Sequence, residues 1–588
     1  MFSILKNFNK KAWIFFAISV IFIVAGVWLD LKIPDYMSEI TRLLQYSDEG
    51  VGPILTQGGL MMLCALGSLV ATVITCYCAA YIGASFSYTL RKRFFDKVQR
   101  FNLTEIKKFS ISSLITRSTN DVRQVHIFVI FSVQVLIKAP VMAILAISKI
   151  ANKGFEFSMI TAIGVGIIVA LMIVLVAIVM PKFKMIQQLT DNLNRIAREN
   201  LNGVRVVRAY NAEKYQERKF AHANKQLTET QLFAERMMIL LGPTITTVMP
   251  GLSLAIYWVG AALINTAGVI DRVTIFGNVV VFSSYAIQVI MAFLMLVVVF
   301  VLYPRAHVSL KRLNAVLDTP FSIKNGEITT DCNDLRGVVE FKNVSFQYPD
   351  AEAHVFRDIS FKANPGETIA FIGSTGSGKS TLINLIPRFY DATEGNILID
   401  GIDITKLDTD YLHSKIGYIS QKATLFKGTV NKNIRLGYKN GKKPTKDAVK
   451  KAIKIAQAQD FVEKMPGSYN AKIAQNGTNI SGGQRQRLSI ARAIARNPEI
   501  YIFDDSFSAL DYKTDHLLRK ELNRQTKNAT KFIVAQRIGT IKDADQILVL
   551  DKGHCVGHGK HADLMKNCAV YREIALSQLS EKELEKTK

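Results

Sequence analysis

The segment from Ile369 to Thr381, IAFIGSTGSGKST, contains the residues with the most specific chemistry in this sequence. A short apolar run ends at Gly373, and after four intervening residues it is followed by Gly378-Lys379-Ser380. This spacing is typical of a strand, a glycine-rich loop and a helix start, in which backbone N–H groups turn toward a phosphate. Lysine then reaches the β- and γ-phosphates and the serine hydroxyl ligates Mg²⁺. The segment predicts a nucleotide site; a glycine-rich turn without a ligand is the alternative. The predicted cofactor-binding residues of this loop are Gly373, Ser374, Thr375, Gly376, Ser377, Gly378, Lys379, Ser380 and Thr381.

The composition indicates that this site is joined to a membrane domain. A chain of 588 residues is too long for one core, and 49% hydrophobic residues are many for a soluble protein. The net charge of +25 is compatible with nucleic acid, but the basic residues flank apolar runs, which favours contact with anionic lipids. We therefore expect no nucleic-acid partner. We interpret the six cysteines as packing residues, because their spacing fits neither a metal site nor a disulfide framework.

Six apolar runs have about the length needed to cross a bilayer. They cover residues 12–32, 55–84, 126–150, 157–180, 237–264 and 274–304. The basic segments after the second and fourth runs place those two long loops in the cytoplasm, so both termini also lie there. The sequence predicts a multi-pass protein of the cell membrane, with a short interfacial helix at Met1–Lys11.

Two features of the apolar runs leave the cargo open. Lys138, in LIKAP, is either a functional group inside the membrane or a lysine that snorkels to the head groups, and we favour snorkelling. Several adaptable side chains either line an apolar cavity or face lipid. They are Met61, Met62, Phe282, Tyr285, Met291 and Phe293.

A change of composition marks the second domain. The last apolar run stops after Tyr303-Pro304, and a strand-like segment, VVEFKNVSFQY, occupies 338–348. We predict a six-helix membrane domain at 1–320 and an α/β nucleotide-binding domain with a P-loop at 321–588.

At this point the chain resembles the ABC exporter family over nearly its whole length. Matching segments of the two long loops are Leu114-Ile115-Thr116-Arg117, Asn120-Asp121-Val122, Glu199, Gly203-Val204-Arg205-Val206-Val207 and Glu213. The most specific match is the signature Ser481-Gly482-Gly483-Gln484 ahead of a helix. The resemblance implies that these four residues and Asp511 help to bind ATP, and that Tyr348 stacks on the adenine. It also implies that Ser380, Gln421 and Asp504 hold Mg²⁺, and that in the dimer each signature caps the ATP bound by the other subunit.

Two positions depart from the family pattern. A competent exporter site has glutamate after the Walker B aspartate and a histidine at the switch position, whereas this chain has Asp505 and Gln536. Asp505 is shorter by one methylene, and glutamine cannot take up a proton near neutral pH. With Gln421 these are the predicted catalytic positions. The pattern resembles the degenerate-site subunit of heterodimeric bacterial multidrug exporters, in which hydrolysis occurs mainly at the partner's site.

We therefore expect an ATP-hydrolysing export pump for amphipathic or hydrophobic compounds, made of this half-transporter and a different second one. The alternative is an ATP-gated membrane protein or regulatory subunit without sustained turnover, which Asp505 and Gln536 favour. An importer permease fused to its ATPase is disfavoured by six long spans in exporter order.

Overall fold

The computed structural model describes residues 10–46, 51–151, 155–266, 268–330, 334–437 and 443–578. The chain forms two compact units, one of Met1–Gln99 with Ile111–Thr319 and the other of Arg100–Ser110 with Pro320–Lys588. Most of the interfacial helix expected at Met1–Lys11, and also Cys332, lie outside the described residues. Lys10 and Lys11 begin the first described helix.

The described residues of the first unit form helices joined by short turns, and one helix of the following series, α3, belongs to the second unit. The helices are α1 (Lys10–Tyr46), α2 (Gly52–Gln99), α3 (Leu103–Phe109), α4 (Ile111–Thr116), α5 (Val122–Ala151), α6 (Phe155–Asn202), α7 (Val204–Ala209), α8 (Glu213–Ile239), α9 (Leu241–Thr266) and α10 (Val269–Leu317). A π-helical turn at Arg117–Asp121 joins α4 to α5.

Within the part of the chain that the structure describes, six helical stretches are long and apolar enough to cross a membrane, which confirms the predicted number of spans. They are Lys10–Leu44, Gly52–Gln99, Ile111–Ile150, Phe157–Asn202, Glu213–Thr266 and Arg272–Leu296. The helices α2 and α6 each contain 48 residues. At about 1.5 Å per residue such a helix is about 70 Å long, while the bilayer core is about 30 Å thick. These helices therefore extend well beyond the hydrocarbon region.

Two ion pairs connect α1 to α5 within the membrane unit. Lys149 Nζ lies 2.7 Å from Asp35 Oδ2, and Lys138 Nζ lies 3.8 Å from Asp30 Oδ2. The ammonium of Lys138 thus lies near a carboxylate of a neighbouring helix and beside a cavity. Its snorkelling to the head groups stays a prediction. The hydroxyl of Tyr285 donates to Asp35 Oδ1 at 2.7 Å.

The cysteines and adaptable side chains of this unit only partly match their predicted positions. Phe282 and Tyr285 are buried in the helical core rather than facing lipid or a cavity. Cys78 is buried as expected for a packing residue, whereas Cys76 is exposed. In the second unit Cys555 is also exposed, so the packing interpretation is wrong for these two thiols.

The second unit contains the expected α/β fold. Its strands are β1 (Val339–Phe346), β2 (Phe356–Ala363), β3 (Thr368–Gly373), β4 (Glu394–Ile399), β5 (Ile402–Asp403), β6 (Ile416–Ile419), β7 (Gly428–Thr429), β8 (Lys472–Ile473), β9 (Ile500–Asp504), β10 (Thr530–Val534), β11 (Gln546–Asp551) and β12 (His554–Gly559). Its remaining helices are α11 (Lys379–Leu385), α12 (Thr409–Lys415), α13 (Val430–Ile434), α14 (Lys446–Ile455), α15 (Gln459–Lys464), α16 (Gly482–Ala495), α17 (Tyr512–Gln525), α18 (Ile538–Ile541), α19 (His561–Asn567) and α20 (Ala569–Gln578).

The central sheet places the ends of its parallel strands at one edge. Its order is β12-β11-β3-β10-β9-β6, in which only the pair β11–β12 is antiparallel. A separate antiparallel sheet has the order β2-β1-β4-β5. Side chains of β3 alternate between two buried clusters, with Ala370 in one and Phe371 in the other. Because β3 is buried on both faces, its position in the sheet, and that of the loop after it, is tightly fixed.

The short helix α3 belongs to this unit although it follows α2 directly in the chain. The carboxylate of Glu105 accepts hydrogen bonds from the backbone N–H of Ser322 at 2.7 Å and of Asn102 at 2.8 Å. Phe101 stacks on Phe109 and meets the ring of Phe321 edge-on. A buried acid and an aromatic cluster therefore hold α3 on the α/β unit.

Candidate nucleotide site

The predicted phosphate loop lies between β3 and α11, as its spacing indicated. Gly373 has φ +153°, and a Cβ added there would lie 1.9 Å from the carbonyl oxygen of Leu550 on β11. Gly378, the residue before α11, has a left-handed backbone with φ +93°. Glycine is therefore required at Gly373 by close approach and favoured at Gly378 by backbone conformation.

The ammonium of Lys379 lies at the opening of this loop. It donates to the carbonyl oxygens of Gly373 at 2.9 Å and Ser374 at 2.7 Å. Burial lowers the pKa of Lys379, while the carboxylates of Asp505 and Asp504 act in the opposite direction. Lys379 is thus a half-buried cation held beside the turn, as required of a group that pairs with phosphate.

Ser380 and Asp504 meet although 124 positions separate them in the sequence. The Ser380 hydroxyl donates to Asp504 Oδ1 at 2.7 Å, and the Tyr418 hydroxyl lies 3.5 Å from Asp504 Oδ2. Burial, and secondarily the charge of Asp505, raise the pKa of the Asp504 carboxyl. A buried carboxylate beside a hydroxyl is a ligand set that suits Mg²⁺, so these residues fit the predicted metal site. A divalent cation there would compensate the charge that burial destabilises.

Gln421 joins Asp505 rather than the pair of predicted metal ligands. Its amide Nε2 donates to Asp505 Oδ2 at 3.2 Å, and the Nε2 of Gln536 donates to the same oxygen at 2.9 Å. The three predicted catalytic positions thus form one cluster. Burial raises the pKa of Asp505. The backbone of Asp505 has φ +46°, an uncommon conformation for a residue with a side chain.

Tyr348 lies at the side of the loop and contacts it directly. Its hydroxyl is 2.9 Å from Thr381 Oγ1, and its ring packs edge-on against Tyr390. The ammonium of Lys107, on α3, lies 4.5 Å from the centre of the Tyr348 ring. In the sequence, Lys107 is one of the basic residues after the second apolar run, and no local pattern indicates this cation–π contact.

The signature segment caps a different helix and does not reach the loop. Ser481 and Gln484 form a reciprocal capping box at the start of α16, in which Ser481 Oγ accepts from Gln484 N–H at 3.3 Å. A Cβ added to Gly483 would lie 3.2 Å from the carbonyl oxygen of Ala509. No hydrogen bond joins residues 481–484 to residues 373–381, both of which are fully described.

Asp511, the remaining predicted nucleotide contact, caps the next helix. Its carboxylate accepts from the N–H of Thr514 at 2.9 Å at the start of α17. That hydrogen bond lowers the pKa of the exposed Asp511 carboxyl. Within one chain, Asp511 and the signature are helix caps.

Comparison with known proteins places both units in one family. The model of the ABC transporter transmembrane region matches residues 16–293, and the ABC transporter model matches residues 356–508. An uncharacterized ABC transporter ATP-binding protein of Mycobacterium tuberculosis is 39% identical over 88% of this chain and 87% of its own length. A second uncharacterized ABC transporter ATP-binding protein, YfiB of Bacillus subtilis, is 33% identical over 95% of this chain and 96% of its own.

A solved structure shares the fold. The structure of a bacterial Atm1-family ABC exporter with ATP bound superposes with a TM-score of 0.80 at 24% sequence identity. The match covers 96% of this chain and 98% of that one.

Proposed function

The chain belongs to the ABC transporter family as an exporter-type half-transporter with a fused ATPase domain, and from this premise we propose that it is one subunit of a heterodimeric export pump. The cargo would be amphipathic or hydrophobic compounds. Its own nucleotide site, built on Lys379, Ser380 and Asp504, would bind ATP with Mg²⁺ and hydrolyse it poorly. Hydrolysis would occur mainly at the partner's site, which the signature of this chain would complete.

The observation that carries this proposal is the double hydrogen bond to one oxygen of Asp505. Two amides, from Gln421 and Gln536, donate to Oδ2. A general base that activates water needs a free lone pair at the correct distance. The two donors leave lone pairs on the Asp505 carboxylate, but its side chain is one methylene shorter than that of glutamate and is held at Oδ2, which would keep it from the distance that a base requires. Gln536 is unable to accept a proton near neutral pH. Slow hydrolysis at this site follows.

Bound Mg²⁺ would neutralise charge that develops on the phosphates. The 2.7 Å contact between the Ser380 hydroxyl and Asp504 Oδ1 supports the assignment of these two oxygen atoms to such an ion. Lys379 would pair with the phosphates, and the Tyr348 ring would carry the adenine on whichever face Lys107 leaves open. We also propose that this domain and both termini lie in the cytoplasm, as the basic residues between the spans indicate.

A second candidate function rests on the same cluster. An ATP-gated or regulatory membrane protein needs nucleotide binding without sustained turnover, and Asp505 and Gln536 would serve it equally well. The complete capping box of Ser481 and Gln484 favours the pump, because an ordered signature has its use in a composite site.

The deciding experiment measures ATPase activity and dye export for the chain alone and with co-expressed candidate half-transporters. We expect low activity from the chain alone and both activities with the correct partner. ATP binding without export by every stable complex would favour the gated protein, and rapid turnover by the chain alone would remove the need for a partner.

A further inference from the structure

The membrane unit contains a cavity of about 290 Å³ between four of its helices, α1, α2, α5 and α10. Its apolar wall includes Phe22, Ile23, Val27, Phe131, Val135 and Met295. Five polar side chains also line it, namely Thr72, Thr75, Cys76, Gln134 and Lys138. None of the six adaptable side chains singled out in the sequence is among its lining residues. An apolar pocket with a few polar groups is the usual form of a small-molecule site.

Lys138 supplies the only charge among the residues that line this cavity. Its ammonium is 3.8 Å from Asp30 Oδ2, which is longer than a hydrogen bond, and it makes no hydrogen bond to any described residue. The other oxygen of Asp30 accepts from the Ser68 hydroxyl, so this carboxylate has a second partner. Lys138 is therefore a weakly paired cation with its N–H donors available to a ligand.

A second lysine of α5, Lys149 in its last turn, forms a closer ion pair with α1. Lys149 Nζ is within hydrogen-bond distance of Asp35 at 2.7 Å, and Asp35 also accepts from Tyr285. Lys149 does not line the cavity. An ionisable group inside a membrane is costly and is retained for structure or for a ligand. Lys149 fits the structural role, and Lys138 fits the ligand role.

We propose that this cavity is a binding site for a single-chain amphiphile with an anionic head group, such as a medium-chain carboxylate. The head group would accept hydrogen bonds from Lys138 and Gln134, and the chain would lie along the apolar wall. The volume of about 290 Å³ is slightly below the usual range of ligand pockets, about 300–1,000 Å³, so the cavity suits one acyl chain rather than a two-chain phospholipid. The idea that such an amphiphile is exported rests on the proposed function, whereas the idea that the cavity binds it does not.

The test measures binding of radiolabelled decanoate and its neutral analogue decanol to the full chain in phosphatidylcholine nanodiscs at pH 8.5. We expect decanoate to bind at least about tenfold more tightly than decanol, because one hydrogen bond between charged groups changes an affinity by about that factor. Lys138→Met should abolish this preference and Lys138→Arg should keep it. The matched control, Lys149→Met, should leave it unchanged. Equal affinity for the two compounds, or a preference that survives Lys138→Met, would overturn the proposal.

Two further arms keep the test decisive. If Lys138→Met fails to fold, maleimide labelling of Cys76 in the wild-type chain replaces it, because Cys76 lines the cavity. Decanoate should protect this thiol and decanol should not; equal labelling in both refutes the site. In phosphatidylglycerol nanodiscs decanoate binding should persist, and its loss would assign the cavity to a lipid head group instead. None of these measurements includes ATP or a partner chain. If decanoate does not bind, the proposal of ATP-driven export can therefore still hold for another cargo.

Discussion

Lengthening the side chain at position 505 should increase ATP hydrolysis by this chain. Asp505 Oδ2 is held by amide donors at 3.2 Å and 2.9 Å from Gln421 and Gln536. Asp505→Glu adds one carbon–carbon bond, about 1.5 Å of reach, which carries the carboxylate past these donors toward the position of the attacking water. Gln536→His adds a group that can exchange a proton near neutral pH.

The size of the effect follows from the displacement. A misplacement of about 1 Å costs about a hundredfold in rate, which corresponds to about 2.7 kcal/mol in activation free energy. Asp505→Glu alone should therefore raise turnover by up to about a hundredfold. The side chains at positions 505 and 536 are in direct contact, and substitutions at contacting residues are not additive. The double variant should therefore gain less than the product of the two separate rate increases.

The assay is steady-state hydrolysis of MgATP by the purified full chain in nanodiscs, as wild type, both single variants and the double variant. Asp505→Asn is the matched control, because it preserves shape, removes the charge and should leave a low rate low. The double variant should also acquire a pH dependence near the imidazole pKa of about 6.5. Rapid hydrolysis by the wild-type chain alone, unchanged by Asp505→Glu, would refute the interpretation of this cluster.

Three other outcomes are expected. Lys379→Ala should abolish nucleotide binding at this chain's loop, because it removes the cation beside the phosphates; undiminished labelled-ATP occupancy of both sites in the complex would contradict this. In a heterodimer with a wild-type partner, Asp505→Asn should change ATPase activity modestly. Gly483→Asp should nearly abolish it, because the new carboxylate would lie against the γ-phosphate of the ATP bound by the partner. Loss of activity with Asp505→Asn but not with Gly483→Asp would show that this chain has the working site. Lys415→Ala should destabilise the ATPase unit by about 3–5 kcal/mol, because it removes the cation that lies 2.7 Å from the buried carboxylate of Asp400. Thermal unfolding of the full chain measures this loss, with a substitution at an exposed lysine, Lys450→Ala, as the control.

Properties that depend on local sequence were predicted correctly. The number of spans depends on apolar length, and the loop at Gly373 depends on glycine spacing next to an apolar strand, so both are visible in short segments. Membership of the ABC family rested on the same kind of local motif and is confirmed by the comparisons. The roles assigned to Asp505 and Gln536 remain predictions.

Contacts between distant segments were not visible in the same way. Sequence motifs assigned Gln421 to the metal, but the structure places its amide on Asp505. They gave no reason to put Lys107 over Tyr348, because α3 follows a membrane helix in the chain and packs on the other unit. Such contacts depend on which elements pack together, and no single segment encodes that.

By itself, the sequence determined the two-part architecture, the six spans and the place of the glycine-rich loop between a strand and a helix, because apolar length and glycine spacing act within a segment. The tertiary structure alone decided that Ser380 meets Asp504, through a sheet order that puts β10 between β3 and β9. It also decided that Lys138 lies near Asp30 and lines a cavity. The physical reason is that a side chain's charge and reach are local properties, whereas its partner is chosen by the packing of helices and strands far apart in the chain.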